Sequence, residues 1–254
     1  MLLYATVILT LIRVFVFEPY SIPTGSMKPT ILEGDVILVN KLPYTIRSLR
    51  YLPFTRIPIP HFSLPGTGEL ERGDIVVFIL PPSAEVHEEE EFVKRTVGIR
   101  GDTIQLISGR IRVNGREVLP VGVDAQIHGR RAAVRRDNAY ELLRYGGEVI
   151  LPYAGYRIAL DSIAAARWRW LIEGEGMRMS YRNRIVFLNG LPATYYTFKK
   201  DYFFALGDNS ADSYDSRYFG FIPYENLIGR AWIIYWSRVP GAAVRWDRIG
   251  RKVE

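Results

Sequence analysis

The chain has 254 residues, no cysteine, three histidines and a formal net charge of +6. Without cysteine there is no disulfide, no thiolate metal site and no cysteine nucleophile, and the isolated His61, His87 and His128 predict no metal centre. The charge, carried almost wholly by arginine, fits solubility or attraction to anionic lipid; with no zinc-finger, helix-turn-helix or RNA-platform pattern, nucleic acid is not expected as a partner.

Residues 1–17 are apolar apart from Arg13. The run is shorter than the roughly 20 residues that cross a bilayer. It also lacks the leading basic residues and small-x-small site of a cleavable signal. It reads as a transmembrane anchor or the C-terminal part of one, with Arg13 able to snorkel to an interface. A buried N-terminal element of a soluble domain is the other reading.

A turn-rich segment follows, then a strand at Asp35-Val-Ile-Leu-Val39. Residues 41–70 are Pro-rich and read as a long loop or hairpin excursion. Arg72-Gly-Asp precedes a buried strand ending at Leu80, and Glu88 to Glu91 reads as a solvated loop. Phe92 to Ile99 is a second strand. Thr103 to Ile107 and Arg110 to Val113 form a hairpin around Ser108-Gly109, with a further turn at Asn114-Gly115. Residues 120–200 change character, rich in Arg and Ala, with helices predicted to start near Asp137-Asn138 and Asp161-Ser162. From Tyr202 strands and turns return: Tyr202 to Leu206, a polar turn from Gly207 to Arg217, and Arg230 to Trp236.

Three segments could carry chemistry. In Pro23-Thr-Gly-Ser-Met-Lys-Pro29 the prolines and Gly25 predict a tight exposed turn. Such a turn can present the Ser26 hydroxyl and leave the Ser26 N–H and the Thr24 hydroxyl facing a developing oxyanion. It also fits an ordinary Pro-flanked turn. Lys94 is the one lysine inside an apolar strand pattern, sharing a face with Phe92 and Thr96. Burial there would favour the neutral amine and make it a base for a serine, whereas a half-exposed edge-strand lysine would merely guard against aggregation. Gly207 to Gly220 is dense in polar residues. It reads either as a surface turn or as a support in which a hydroxyl orients the lysine and an Asp–Arg pair fixes the loop.

Taken together and in this order, the segments resemble bacterial type I signal peptidases. Pro23 to Thr30 looks like the family's nucleophile box, and Arg72-Gly-Asp-Ile-Val-Val-Phe78 its next strand box. Lys94-Arg-Thr-Val-Gly-Ile-Arg-Gly-Asp102 looks like its lysine box, and Gly207 to Arg217, continuing to Ala231, its last. Phe17-Glu-Pro-Tyr-Ser-Ile22 resembles its membrane-proximal lead-in. The resemblance implies Ser26 as nucleophile, Lys94 as general base, and Thr24 with the Ser26 N–H as the oxyanion hole. It further implies that Ser213 hydrogen-bonds Lys94 and that Asp208, Asp215 and Arg217 support the site. Ser210-Ala-Asp212 departs from the Arg and second Asp that many members carry, a departure that bears on one supporting ion pair and not on the Ser26–Lys94 dyad.

The implied fold is mainly β: an antiparallel catalytic core over 18–106 plus 201–240, an inserted smaller α+β domain over 107–200, an anchor over 1–17 and a C-terminal tail over 241–254. The implied activity is removal of signal peptides from exported precursors by cleavage after small residues, without metal or organic cofactor. The lipid bilayer is the other expected partner, and the catalytic part would lie on the extracytoplasmic side of the cell membrane.

Overall fold

The computed structural model of the chain describes residue 4 and residues 15–47, 63–80, 90–107, 110–119, 147–239, 241 and 243–254. It is mainly antiparallel β and divides into two compact units. The first comprises Met1–Arg95, Gly207–Asn209 and Glu225–Glu254; the second, Thr96–Leu206 and Ser210–Tyr224. The boundary between Arg95 and Thr96 falls inside a strand, and the second unit is nearly as long as the first. The predicted helix near Asp137, the turn at 108–109 and the three histidines lie outside the described residues.

The first unit contains β1 (Phe17–Ser21), β2 (Asp35–Asn40), β3 (Thr45–Arg47), β4 (Ser63–Pro65), β5 (Ile75–Leu80), the N-terminal part of β6 (Glu90–Gly98) and, late in the chain, β18 (Leu227–Ser237). Five of these pair in the order β1-β2-β18-β5-β6. In β2 the residues Asp35, Ile37 and Val39 turn inward and their neighbours outward, the period-two pattern of a strand with one buried face. Ile75 to Phe78 of β5 are buried without alternation, as a central strand covered on both faces requires. Pro19, which cannot donate to a ladder, sits on edge strand β1. Glu90 and Glu91, expected in a loop, begin β6 where it emerges into solvent. In β18 a Cβ at Gly229 would lie 2.5 Å from the Asn40 carbonyl oxygen, so the β2–β18 approach depends on glycine there.

The core of this unit joins Ile22, Met27, Ile31, Ile37, Val39, Ile75 and Val77 to Ile228, Ala231, Ile234 and Val253. The presence of Val253 reflects how residues 241–254 pack. They return along β18, with Ile234 N donating to Arg251 O at 2.9 Å and Val253 N to Trp232 O at 2.9 Å. The Pro-rich excursion is closed at its base by the β3–β4 ladder. No helix among the described residues is long and apolar enough to cross a membrane; of the expected anchor only Tyr4 and residues 15–17 are described, and Phe17 already opens β1.

Asp35 is fully buried and ties the two ends of this unit together. Its carboxylate accepts from Ser237 Oγ at 2.6 Å, from Arg248 Nη2 at 2.6 Å, from Arg245 Nη2 at 3.2 Å and from Leu32 N at 2.9 Å. Burial raises its pKa, but the hydrogen bonds from Arg248, Ser237 and Leu32 outweigh it and hold the carboxyl below its ordinary value. A depressed folded-state pKa contributes stability that is complete above the unfolded value of about 3.9 and is lost as pH falls through the folded one. Asp35→Asn should therefore lower unfolding free energy by about 3–5 kcal/mol at neutral pH, because the pairing of a fully buried carboxylate with two partly buried guanidinium groups is broken. It should also remove part of the acid sensitivity. Urea titration followed by the fluorescence of Trp232, Trp236 and Trp246 at neutral pH and near pH 3 checks both effects.

The second unit continues β6 from Thr96 and adds β7 (Thr103–Ile107), β8 (Arg110–Val113), β9 (Arg116–Leu119), β10 (Glu148–Ile150), β11 (Arg157–Ala159), α1 (Ser162–Gly174), β12 (Met179–Arg182), β13 (Ile185–Leu188), β14 (Leu191–Pro192), β15 (Tyr195–Thr197), β16 (Tyr202–Leu206), α2 (Ser216–Phe219) and β17 (Ile222–Pro223). Asn114 and Gly115 both take positive φ in the β8–β9 turn, as a two-residue hairpin demands. Asp161 caps α1 by accepting from Ala164 N at 2.7 Å. The helix buries Ala165, Trp168, Leu171 and Ile172, and Trp168 packs edge-on against Phe198. Beyond the helix, the Glu175 carboxylate accepts from Tyr196 OH, Tyr202 OH and the N–H groups of Lys199 and Lys200. That pins β15 and β16 to the helix end.

Candidate active site

Ser26 lies in a turn closed by local backbone bonds: Lys28 N donates to Gly25 O at 3.1 Å and Ile31 N to Met27 O at 3.0 Å. Met27 and Ile31 are buried, so the turn is plugged into the core of the first unit by its own apolar side chains. Asn209 grips the turn from across the unit. Its N–H donates to Ser26 O at 3.0 Å, and its Nδ2 to Gly25 O at 3.1 Å.

Lys94 arrives on β6, in register with Val76 of β5. It is only 4% exposed, and its Nζ donates to Ser26 Oγ at 2.9 Å. The Phe92 ring, two residues back on the same strand face, has its centroid 5.6 Å from Nζ. Ser26 is itself 9% exposed. The Thr24 hydroxyl lies 3.5 Å from Ser26 Oγ, on the solvent side of the turn. An amine in hydrogen-bond reach of a serine hydroxyl, both withdrawn from water, is the arrangement of a nucleophile and its base.

Arg95, next along β6, faces away from Lys94 and clasps Asp208. Nε lies 2.7 Å from Oδ1, and Nη2 2.8 Å from Oδ2. Thr30 Oγ1 donates to the same Asp208 Oδ2 at 2.5 Å. Asp208 thus joins the serine turn, the lysine strand and the loop carrying Asn209. Arg95, Thr30 and Asn209 were not singled out from the sequence. Their signals were present, since Arg95 adjoins Lys94 and Asn209 follows Asp208 in the polar box, but pairings across such separations leave no local pattern.

The remaining candidates belong to the second unit. Asp215 and Arg217 form a buried two-pronged pair, with Arg217 Nε to Oδ1 at 2.8 Å and Nη2 to Oδ2 at 2.9 Å. Arg217 Nη2 also donates to Ser210 O at 2.6 Å, so the pair fixes the loop backbone. Burial opposes the Arg217 charge, but the bonds and charge of Asp215 outweigh it and hold its pKa above the ordinary value. Ser213 is buried, and its hydroxyl has no hydrogen-bond partner among the described residues.

The chain is similar to known proteins along most of its length. The profile of the family described as "Signal peptidase, peptidase S26" matches residues 1–236. A protein named "Signal peptidase I" from Rickettsia massiliae (strain Mtu5) is 35% identical over 228 residues, which is 89% of this chain and 74% of its own length. One of the same name from Aquifex aeolicus (strain VF5) is 28% identical over 237 residues, 90% of this chain and 80% of its own. The crystal structure of a signal peptidase I from Enterococcus faecalis V583 matches 64% of this chain and 96% of its own, at 20% identity and a TM-score of 0.28. The chain belongs to the signal peptidase family, peptidase S26.

Proposed function

We propose that this peptidase is a membrane-bound serine endopeptidase that removes N-terminal signal peptides from exported proteins, cutting after small residues with Ser26 as nucleophile and Lys94 as general base. The 2.9 Å contact between Lys94 Nζ and Ser26 Oγ, both buried, carries this reading. Ser26 Oγ attacks the scissile carbonyl carbon while the neutral Lys94 amine accepts the hydroxyl proton. The peptide C–N bond then breaks, the ammonium returns that proton to the departing amine, and the acyl group stays on Oγ as an ester. The amine, neutral again, takes a proton from a water that attacks the ester. The C–Oγ bond breaks, Ser26 recovers its proton, and the cleaved peptide leaves.

The Ser26 N–H and the Thr24 hydroxyl serve as oxyanion donors in this scheme; the position of Thr24 beside Ser26 supports that role. Thr24→Val keeps the shape and deletes the donor. It should lower kcat by about 10²–10³-fold with little change in KM, as measured on a synthetic peptide spanning a cleavage site. Unchanged kcat would remove Thr24 from the oxyanion hole. By the same proposal Asp208, Asp215 and Arg217 keep the supporting loops in place, whereas the Ser213 hydroxyl, expected to bond Lys94, has no hydrogen-bond partner among the described residues and is given no part.

The bilayer is the second partner of this reading. Residues 1–17 form the anchor of a single-pass protein of the cell membrane, its catalytic part on the extracytoplasmic side. Two observations support it: Phe17, at the end of that apolar run, stacks on Trp232 with centroids 5.2 Å apart, and Trp232, Tyr235 and Trp246 of the same unit are exposed. Exposed aromatic rings of this kind favour the headgroup level of a membrane. The direct test of the activity is incubation of the purified chain in detergent with a precursor that carries its intact signal sequence. Mass spectrometry should find a single cut after a small residue; no cut would overturn the proposal.

A further inference from the structure

The turn that bears Ser26 is held from behind by residues beyond the family-matched stretch, which ends at 236. Arg248 Nη2 donates to the main-chain oxygen of Thr30 at 2.9 Å, and the same guanidinium reaches Asp35 Oδ2 at 2.6 Å and Oδ1 at 3.3 Å. Arg245 Nη2 donates to Glu33 O at 2.6 Å. The segment 245–248 therefore spans the stretch 30–35, immediately after the nucleophile turn.

Thr30 is the node of this arrangement. Its carbonyl is bonded to Arg248, and its hydroxyl to Asp208. From Asp208 one route runs through the Arg95 clasp to the residue adjoining Lys94. A second runs through Asn209, the next residue, to the Ser26 carbonyl. A third passes along the backbone of the turn, where Ile31 N is bonded to Met27 O. Both members of the Ser26–Lys94 pair are thus two or three short contacts from Arg248.

We infer that Arg248 is a positioning residue for the reaction. It fixes Thr30, and through Thr30 it keeps the serine turn and the lysine strand in the register that sets the 2.9 Å contact. The inference rests on the proposed roles of Ser26 and Lys94. Guanidinium suits the task because one planar fork serves a carbonyl and a carboxylate at once, and a lysine in its place could hold only one geometry at a time. Truncation leaves Asp35 with Arg245, Ser237 and Leu32 as partners. The loss specific to Arg248 is its grip on the Thr30 carbonyl.

A misplacement of about 1 Å at a reacting pair costs on the order of 10²-fold in rate. The test is burst kinetics of the full chain in detergent on an alanine-ending peptidyl p-nitrophenyl ester. Burst amplitude counts the folded, competent sites, and burst rate reports acylation at each. A purely structural role would lower only the amplitude. Arg248→Ala should lower the acylation rate per site by about 10–10²-fold with KM nearly unchanged, and added methylguanidinium should restore part of it. Should Arg248→Ala not fold, Arg248→Lys replaces it and should acylate more slowly per site than the wild type. A folded variant acylating at the wild-type rate per site would overturn the inference. Wild type and Ser26→Ala run alongside: a wild type with no burst beyond that of Ser26→Ala would instead remove the proposed nucleophile, so the two failures are distinguishable.

Discussion

Ser26→Ala should abolish precursor cleavage while leaving the fold intact. The substitution deletes one oxygen from a side chain that is already 9% exposed, and the Met27 and Ile31 plug, the Asn209 bonds and the Asp208 node do not involve it. The chemistry, by contrast, has no second route to an acyl intermediate. Removal of a serine nucleophile from a protease whose catalytic residues act as a unit costs about 10⁶-fold in kcat, and what remains comes from the oxyanion donors and binding. Turnover should fall toward that floor, measured as precursor cleaved over hours, and thermal unfolding followed by tryptophan fluorescence should stay at the wild-type temperature. A cysteine-free chain offers no thiol to substitute for the hydroxyl. A variant that keeps wild-type turnover would show that another residue attacks the substrate.

How much of this was legible beforehand depended on whether the signal was local. The alternation in Asp35-Val-Ile-Leu-Val-Asn40, the apolar run from Ile75, the Asn114-Gly115 turn and the Asp161 cap are each written within a few residues, and each became the element its pattern specifies. The division of the chain was not legible. It falls between Arg95 and Thr96, inside one continuous strand, where neither composition nor a turn residue marks it. Edge strand β1 was hidden by Pro19, which argues against a strand everywhere except at an edge. Residues 241–254 read as a tail because they are short, charged and aperiodic; their place is set by Arg245 and Arg248 meeting Asp35 more than two hundred residues earlier in the chain. At the site, Ser26 and Lys94 could be named because their segments, in order with Gly207 to Arg217, resemble the signal peptidase boxes; a Pro-flanked turn or a strand lysine alone fits an ordinary role equally well. Arg95, Thr30 and Asn209 are ordinary residues until the fold brings them to Asp208 and the serine turn.

Replacing Lys94 by Arg should leave no activity at any pH at which the fold survives. To take the Ser26 proton the base must be neutral, and guanidinium stays charged throughout the workable range. In the proposed mechanism the lysine acts as the neutral amine, and withdrawal of its side chain from water disfavours the ammonium. The sign of the pH dependence follows. At low pH the amine carries its proton and cannot act; kcat/KM should rise tenfold per pH unit along the acid limb and level off once the free enzyme's lysine is neutral. The acid unfolding expected from Asp35 must be kept apart from this limb. The Asp35 contribution is lost only below about pH 4, as pH falls through its depressed folded-state value. A catalytic limb at higher pH, with tryptophan fluorescence unchanged across it, therefore belongs to the base and not to the fold. Lys94→Arg supplies the second half of the argument: a folded protein with the charge kept, the side chain nearly as long and the deprotonation forbidden. A profile flat from acid to neutral, or turnover by the arginine variant, would remove Lys94 from the mechanism and leave His61, His87 and His128 as the bases to try next.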